Sequence, residues 1–189
     1  MNHPFDVVAV VGSLRRDSFT RRLVQSFQAL APASMTLDIV ELRDLPMYNQ
    51  DDEAAPPAPW VTFRHRVKRA DAVLFATPEY NRSVPGALKN AIDVGSRPYG
   101  ASVWAGKPAA ILSVSPGAMG AFGANHHLRQ SLVFLNMPTL QQPEMYIGGA
   151  DKLFDSDGDF INPATREFCR KFLETFAGWI ERHLRPRGP

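Results

Sequence analysis

Residues 5–20 read FDVVAVVGSLRRDSFT, and this stretch decides the fold. Its first part, Phe5–Val11, is almost continuously apolar, which is typical of a strand buried on both faces of a sheet. Gly12 ends that run, and Asp17 or Ser18 can cap the amphipathic helix that follows. A buried strand that passes through a loop into a helix is the usual opening of a parallel α/β sheet.

Strand and helix signals alternate along the rest of the chain. The further predicted strands cover residues 35–39, 72–76, 108–114 and 139–147. The first, third and fourth strands are the most apolar and are expected in the centre of the sheet, whereas the alternating second and the polar fifth are expected at its edges. The sequence therefore predicts an α/β fold with a doubly wound, five-stranded parallel sheet in the order 2-1-3-4-5, in a single domain of residues 1–189.

Prolines and glycines mark the expected boundaries of these elements. Residues 43–59 hold four prolines and an acidic run, and they are predicted to form a solvated loop. Pro85 is expected to open the third helix, which runs through Val94 with Gly95 just beyond its end. A long amphipathic helix is expected near the C terminus.

The composition limits the class of protein. The 189 residues are 44% hydrophobic, and 21 Lys+Arg stand against 19 Asp+Glu for a formal net charge of +2. This balance argues against a nucleic-acid partner and against the acidic surface of an electron carrier. The apolar runs are strand-sized, so neither a membrane span nor a signal peptide is expected. Cys169 is the one cysteine, which excludes an internal disulfide. A cytoplasmic protein without membrane partners is therefore expected.

Ligands of such sheets bind beyond the carboxyl ends of the strands, near the switch point between strands one and three. The first loop at this edge comprises residues 12–20. A helix N-terminus offers free N–H groups that suit a phosphate. Hydroxyl groups are added by Ser13, Ser18 and Thr20, and Arg15 can add a charge-assisted contact. The loop lacks both G-x-G-x-x-G and the P-loop motif. A turn that merely caps a helix would have a similar sequence.

Two further loops follow the third and fourth strands. Residues 77–86 combine an aromatic side chain, an amide and two prolines where a planar ligand would lie. Residues 115–123 hold three glycines, which permit a ring to approach the backbone closely. Each loop alone could be an ordinary turn, but their joint position at one edge of the sheet favours a ligand site.

Motifs in and beside these loops occur together in a recognisable order. They are GSLR at 12–15 with Ser18, PEYN at 78–81, LKNAID at 88–93, HLRQ at 127–130 and PE at 143–144. Over about residues 5–180 the chain resembles the NADPH-dependent FMN reductase family, and the last two motifs resemble its chromate/quinone reductase branch. The resemblance implies a flavodoxin-like three-layer fold, bound FMN, and NADPH or NADH as electron donor.

The resemblance also implies roles for particular residues, carried over by position. Ser13, Arg15 and Ser18 would hold the FMN phosphate, and Thr20 stands where family members often carry Asn but keeps a hydroxyl group. The residues that would lie along the isoalloxazine ring are Pro78, Glu79, Tyr80 and Asn81 in the second loop, and Ser115 and Gly117 in the third. No catalytic residue is assigned, because the cofactor supplies the chemistry. Glu79 is expected to have a binding or backbone role rather than that of a general base.

The expected function is that of an enzyme, an FMN-dependent NAD(P)H oxidoreductase with ping-pong turnover. Quinones are the preferred acceptors, and chromate, azo compounds and free flavin are further acceptor classes. The alternatives are a flavodoxin-like electron carrier and a flavin-responsive regulatory module without turnover. No metal is expected, because the histidine pair at 126–127 has no third ligand at metal spacing.

A homo-oligomer, dimer or tetramer, is expected mainly from the resemblance. The sequence adds several large apolar side chains around the fifth strand, which are Phe134, Met137, Met145 and Tyr146. Arg129 and Glu144 are candidate polar partners across such an interface.

Overall fold

The computed structural model describes residues 3–184, which form five strands and five α-helices in alternation. The strands are β1 (Phe5–Val11), β2 (Met35–Val40), β3 (Ala72–Thr77), β4 (Ala109–Val114) and β5 (Met145–Ile147). The helices are α1 (Phe19–Leu30), α2 (Ala58–Arg69), α3 (Gly86–Ser96), α4 (Phe122–Phe134) and α5 (Pro163–Leu184).

All neighbouring strands pair in parallel, and their order is β2-β1-β3-β4-β5. The register aligns the carboxyl ends of the strands, with Val11 of β1 opposite Ala76 of β3, and Val114 of β4 opposite Ile147 of β5. The predicted fold class and strand order are therefore confirmed, and the loops that follow β1, β3 and β4 leave the sheet at one edge.

Helices cover both faces of the sheet, and β1 contributes apolar side chains to both faces. Val7, Ala9 and Val11 belong to the core beneath α1 and α5, whereas Val8 and Val10 belong to the core beneath α2, α3 and α4. This division makes the three layers. None of the helices between residues 3 and 184 is long and apolar enough to cross a membrane.

The predicted bounds of the second, third and fourth strands differ from the structure by one residue each, and larger differences occur elsewhere. The segment predicted as loop over 43–59 contains a short 3₁₀ turn at Gln50–Asp52, and α2 begins within it at Ala58. The fifth strand is three residues long instead of nine, because Pro143 lacks the N–H that a ladder requires.

Gly95 does not terminate α3 but lies inside it, since the helix continues to Ser96. A Cβ atom at Gly95 would lie 2.5 Å from the indole ring of Trp104. Glycine is required there by close packing against that ring, not by a helix end.

Candidate active site

Three loops meet at the carboxyl edge of the sheet. The first loop, predicted over residues 12–20, spans 12–18 in the structure, because α1 begins at Phe19. The second and third loops, predicted over 77–86 and 115–123, span 78–85 and 115–121. The N–H of Gly12 donates to the carbonyl oxygen of Ala76 at 2.8 Å, which joins the start of the first loop to the end of β3. The carboxylate of Glu79 accepts a hydrogen bond from the N–H of Ala124 at 3.0 Å, which joins the second loop to the helix that follows the third. The fold therefore brings together the loops predicted from the sequence.

The first loop presents unpaired backbone donors at the N-terminus of α1. Residues 16–17 form a turn, and the N–H groups of residues 13–17 and 19 donate no hydrogen bond to any residue that the structure describes. Ser18 is the helix cap, and its Oγ accepts from the N–H of Arg21 at 3.2 Å. Free N–H groups combined with the positive end of a helix dipole make this loop suited to a phosphate group.

The predicted side chains of the first loop differ in accessibility. Ser13 is buried at the base of the loop, and the exposed Arg15 guanidinium lies 5.9 Å from the ring centre of Phe19. Thr20 lies in the first turn of α1 and is only 2% exposed, so its hydroxyl group does not lie open to solvent as Arg15 does. Arg15 is therefore the predicted residue most accessible to an anion.

The second loop is a tight hairpin that projects from the end of β3. Tyr80 and Ser83 exchange two backbone hydrogen bonds, of 3.2 and 2.9 Å. The two residues between them, Asn81 and Arg82, have φ values of 50° and 62°. This is the backbone of a type I′ turn. The turn leaves Tyr80 52% exposed and Asn81 exposed to solvent, while Pro78 is half-buried.

Glu79 has a structural partner that the sequence does not reveal. Besides Ala124, its carboxylate pairs with the guanidinium of Arg82 at 3.5 Å. The first residues of α4 have no side-chain cap from their own segment, so Glu79 supplies negative charge and an acceptor to that helix start. Gly123 permits this approach, because a Cβ there would lie 3.0 Å from the carboxylate oxygen. Glu79 therefore fastens two loops of the site together.

The third loop is held by backbone bonds but keeps an open surface. Ser115 makes three of these bonds. Its N–H donates to the carbonyl oxygen of Ile147 at 3.0 Å, and its carbonyl oxygen accepts from the N–H of Ala150 at 3.2 Å. The Oγ of Ser115 donates to the carbonyl oxygen of Gly117 at 3.1 Å. A Cβ at Gly117 would contact only the Oγ of Ser115, at 3.8 Å. Gly117 is therefore an exposed stretch of backbone that a flat ligand can approach.

Two further residues, Arg43 and Asn90, contact the loops or segments at this edge and were not predicted from the sequence. The Arg43 guanidinium donates to the carbonyl oxygen of Leu14 at 2.6 Å, so the segment after β2 contacts the first loop. Asn90 on α3 is 4% exposed and makes three hydrogen bonds to residues 45–48 of that segment. A polar side chain on the apolar face of a helix is the signal that could have identified Asn90.

Among residues 3–184, no three His, Cys, Asp or Glu side chains gather closely enough to hold a metal ion. Burial raises the pKa of the Cys169 thiol on α5 to about 12, which keeps it neutral and inert. Burial, together with a hydrogen bond to Glu144, also raises the pKa of Tyr146 to about 12.

Comparison with known proteins agrees with this architecture. The sequence model of the NADPH-dependent FMN reductase family matches residues 5–152. A quinone reductase from Pseudomonas putida is 59% identical over 182 residues, covering 96% of this chain and 97% of the relative. A 2-hydroxy-1,4-benzoquinone reductase from a Burkholderia species is 42% identical over 174 residues, covering 92% and 95% of the two chains.

A solved structure has the same fold. It is FerB, a flavoenzyme NAD(P)H:(acceptor) oxidoreductase from Paracoccus denitrificans, which superimposes with a TM-score of 0.90 at 40% identity and covers 95% of this chain and 98% of its own. The family resemblance, the enzymatic class and the FMN and NAD(P)H cofactors expected from the sequence are thus confirmed. This chain belongs to the NADPH-dependent FMN reductase family and is an oxidoreductase.

Proposed function

We propose that this protein transfers electrons from a reduced nicotinamide nucleotide, by way of FMN, to quinones. The observation that carries the proposal is the first loop, whose unpaired N–H groups and exposed Arg15 suit a phosphate group. The 59% identical relative is named a quinone reductase, which supports the choice of acceptor.

FMN, when bound, supplies the two-electron redox chemistry between nicotinamide and acceptor. The residues proposed to hold its phosphate are Ser13, Arg15, Ser18 and Thr20. The residues proposed to line its ring are Pro78, Glu79, Tyr80 and Asn81 in the second loop, and Ser115 and Gly117 in the third. The protein's part is to fix the cofactor against a rigid edge of the sheet, so that donor and acceptor meet it in one geometry.

Ping-pong turnover is part of the proposal. Tyr80 is 52% and Met119 is 59% exposed, so the second and third loops leave an open face that donor and acceptor would use in turn. The same openness favours a broad range of acceptors, and we include chromate, azo compounds and free flavin. Initial rates measured at several quinone concentrations should give parallel double-reciprocal lines. Intersecting lines would require donor and acceptor to bind together and would contradict a shared face.

The phosphate site is tested by Arg15→Ala. Loss of a charge-assisted hydrogen bond of about 1.5–3 kcal/mol should weaken FMN binding roughly tenfold to a hundredfold. Fluorescence titration of the apoprotein measures the affinity, and Arg69→Ala, an exposed arginine at the end of α2, is the matched control. Riboflavin lacks the phosphate and should bind weakly to all three proteins. Equal FMN affinity in the variant and its parent would remove Arg15 from the site.

We also propose that the protein is a homo-oligomer, a dimer or a tetramer. The support comes from α4, where Val133 is 78% and Phe134 is 87% exposed. Two residues that the sequence suggested for this surface do not belong to it, because Met137 and Met145 are 5% and 0% exposed.

Arg129 already has partners within the chain. Its guanidinium donates to Asn125 at 3.1 Å and to the carbonyl oxygen of Leu140 at 3.1 Å.

Sedimentation at micromolar concentration tests the oligomer, and Phe134→Glu should dissociate it. A single species near the chain mass of 21.0 kDa for the parent protein would refute it.

Domain organisation and location complete the proposal. One sheet with helices on both faces supports a single domain over residues 1–189. The one cysteine, Cys169, is a buried free thiol, which suits the reducing cytoplasm. Limited proteolysis tests the single domain, and a stable fragment much shorter than the chain would contradict it. Cell fractionation tests the location, and recovery of the protein outside the cytoplasm would contradict it.

A further inference from the structure

We infer that the imidazole of His126 on α4 delivers a proton to the quinone during its reduction, and that Tyr146 and Glu144 position that imidazole. This inference rests on the proposed function, since it assumes a quinone (Q) as acceptor. The overall reaction is NAD(P)H + Q + H⁺ → NAD(P)⁺ + QH₂. One hydrogen of the hydroquinone and both electrons come from NAD(P)H. The second hydrogen is a proton, which a positioned side chain can supply to a quinone oxygen.

The first argument is the direction of the hydrogen bonds around His126. Its Nε2 lies 3.1 Å from the Oη of Tyr146. Tyr146 has one hydroxyl proton, and it donates that proton to the carboxylate of Glu144, which can only accept. Burial and this bond raise the pKa of Tyr146 to about 12, so the hydroxyl group keeps its proton at neutral pH. His126 therefore donates its Nε2–H to Tyr146, and the bonds run in one direction from the imidazole to the carboxylate.

These bonds fix the tautomer of His126. Because Nε2 carries the proton that bonds Tyr146, the other ring nitrogen, Nδ1, is the one that gains and loses a proton. Nδ1 bonds no residue among 3–184, and the side chain is only half-buried. His126 thus combines an oriented ring with a nitrogen that solvent can protonate, as a side chain that transfers protons repeatedly requires.

The second argument is the position of this imidazole beside the third loop. His126 belongs to a ring cluster with Phe122 and Tyr146, in which the ring centre of Phe122 lies 4.3 Å from that of His126 and 5.2 Å from that of Tyr146. The N–H of Phe122 donates to the carbonyl oxygen of Met119 at 3.1 Å. Gly120 lies against the backbone of Tyr146, since a Cβ there would be 2.7 Å from its carbonyl carbon. The ring cluster therefore adjoins the loop proposed to line the flavin.

The third argument is the chemical character of this surface. Phe122 is 42% and Met119 is 59% exposed, which gives a planar, uncharged acceptor an apolar surface to pack against. The charged groups that act on Tyr146 are Glu144 and Arg129, and Arg129 is held by Asn125 and the carbonyl oxygen of Leu140. Imidazole is the side chain that exchanges protons most readily near neutral pH. An apolar surface with an imidazole at its side suits a ring whose oxygen must be protonated.

The experiment compares the FMN-loaded parent protein with His126→Gln, Tyr146→Phe and the control His65→Gln, which changes an exposed histidine on α2. Each protein is reduced with NADPH and mixed rapidly with benzoquinone or with ferricyanide, which accepts electrons without protons. In His126→Gln we expect the rate with benzoquinone to fall roughly tenfold or more, and the rate with ferricyanide to stay within about twofold of the parent. Tyr146→Phe should lower the rate with benzoquinone less than His126→Gln does. In the parent, D₂O should slow the reaction with benzoquinone but not that with ferricyanide.

A second measurement tests the positioning of the imidazole without the cofactor. Nitrogen NMR of the apoprotein reports which ring nitrogen of a neutral histidine carries the proton, and the signals of His126 are identified by their loss in His126→Gln. We expect the Nε2–H tautomer in the parent and a mixture of both tautomers in Tyr146→Phe, since the acceptor that selects Nε2–H is then absent.

Three results would overturn the inference. The first is an unchanged rate with benzoquinone in His126→Gln. The second is an equal fall with benzoquinone and ferricyanide in that variant, which would mean that electron transfer and not proton delivery depends on His126. The third is the Nδ1–H tautomer of His126 in the parent protein. Failure of the proposed function itself is separable, because benzoquinone would then not reoxidise the reduced parent protein.

Discussion

Asn90 on α3 ties down the segment that carries Arg43, and its replacement by alanine has a consequence that can be worked out from the structure. Its Oδ1 accepts the N–H of Tyr48 at 2.8 Å, and its Nδ2 donates to the carbonyl oxygens of Leu45 and Pro46 at 3.2 and 3.0 Å. All three partners lie on the segment between β2 and α2, about 45 residues away in sequence. This one side chain therefore holds much of a proline-rich segment against α3.

The magnitude follows from the number of bonds and from what remains after the change. A net value of about 0.5–1.5 kcal/mol for each hydrogen bond gives about 1.5–4.5 kcal/mol for the three bonds. The carbonyl oxygen of Pro46 keeps a second donor, the indole N–H of Trp60 at 2.9 Å, so only the Tyr48 N–H and the Leu45 carbonyl lose their partners. We therefore expect Asn90→Ala to lower the free energy of unfolding by about 2–3 kcal/mol. Asn90→Asp keeps the acceptor for Tyr48 but loses both donors, and it should be comparably destabilised at neutral pH.

Urea denaturation followed by fluorescence provides the measurement. The midpoint should fall without a change in the m-value. Gln130→Ala, which removes an exposed amide on α4, should stay within about 0.5 kcal/mol of the parent. A loss below about 0.5 kcal/mol in Asn90→Ala would refute the reasoning, because three bonds from a buried amide cannot be removed so cheaply. Faster proteolysis within residues 43–57 should accompany the loss of stability.

Two further predictions concern packing and pH. Gly95→Ala places a methyl group 2.5 Å from the Trp104 ring and should destabilise the protein by about 1–3 kcal/mol. Gly178→Ala on α5 has open space around it and should stabilise the protein by up to about 1 kcal/mol. Thermal unfolding measures both variants, and equal shifts of the melting temperature would contradict the packing argument. Burial raises the Cys169 pKa from 9.0 to about 12, so from about pH 9 to 12 the unfolded chain releases a proton that the folded chain keeps. The free energy of unfolding should therefore fall as pH rises through that window, and it should fall less in Cys169→Ala. Identical pH profiles of the two proteins would contradict this prediction.

The central elements of the fold could be predicted because local signals agree there with the tertiary structure. The apolar run predicts the bounds Phe5–Val11 of β1 without knowledge of any distant contact. Ser18, one of the two predicted caps, precedes the first residue of α1, Phe19. The strand order follows from which strands are continuously apolar. Local sequence failed at Gly95, because its role depends on Trp104, nine residues away and outside the helix.

The candidate site could be predicted only in part, for the same physical reason. Its loops follow from topology, since parallel strands end at one edge. The hydrogen bond from Ala124 to Glu79 spans 45 residues, and the contact of Arg43 with Leu14 spans 29, so neither leaves a pattern in the local sequence. Long-range polar contacts of this kind depend on the tertiary structure.

The most direct test of the account is the oxidation of NADPH by the purified protein, with and without a benzoquinone and with and without FMN. We expect rapid oxidation of NADPH that requires both the quinone and bound FMN, and that returns when FMN is added back to the apoprotein. Tight FMN binding without quinone-dependent oxidation above the protein-free rate would contradict it, and would leave an electron carrier or a regulatory flavoprotein.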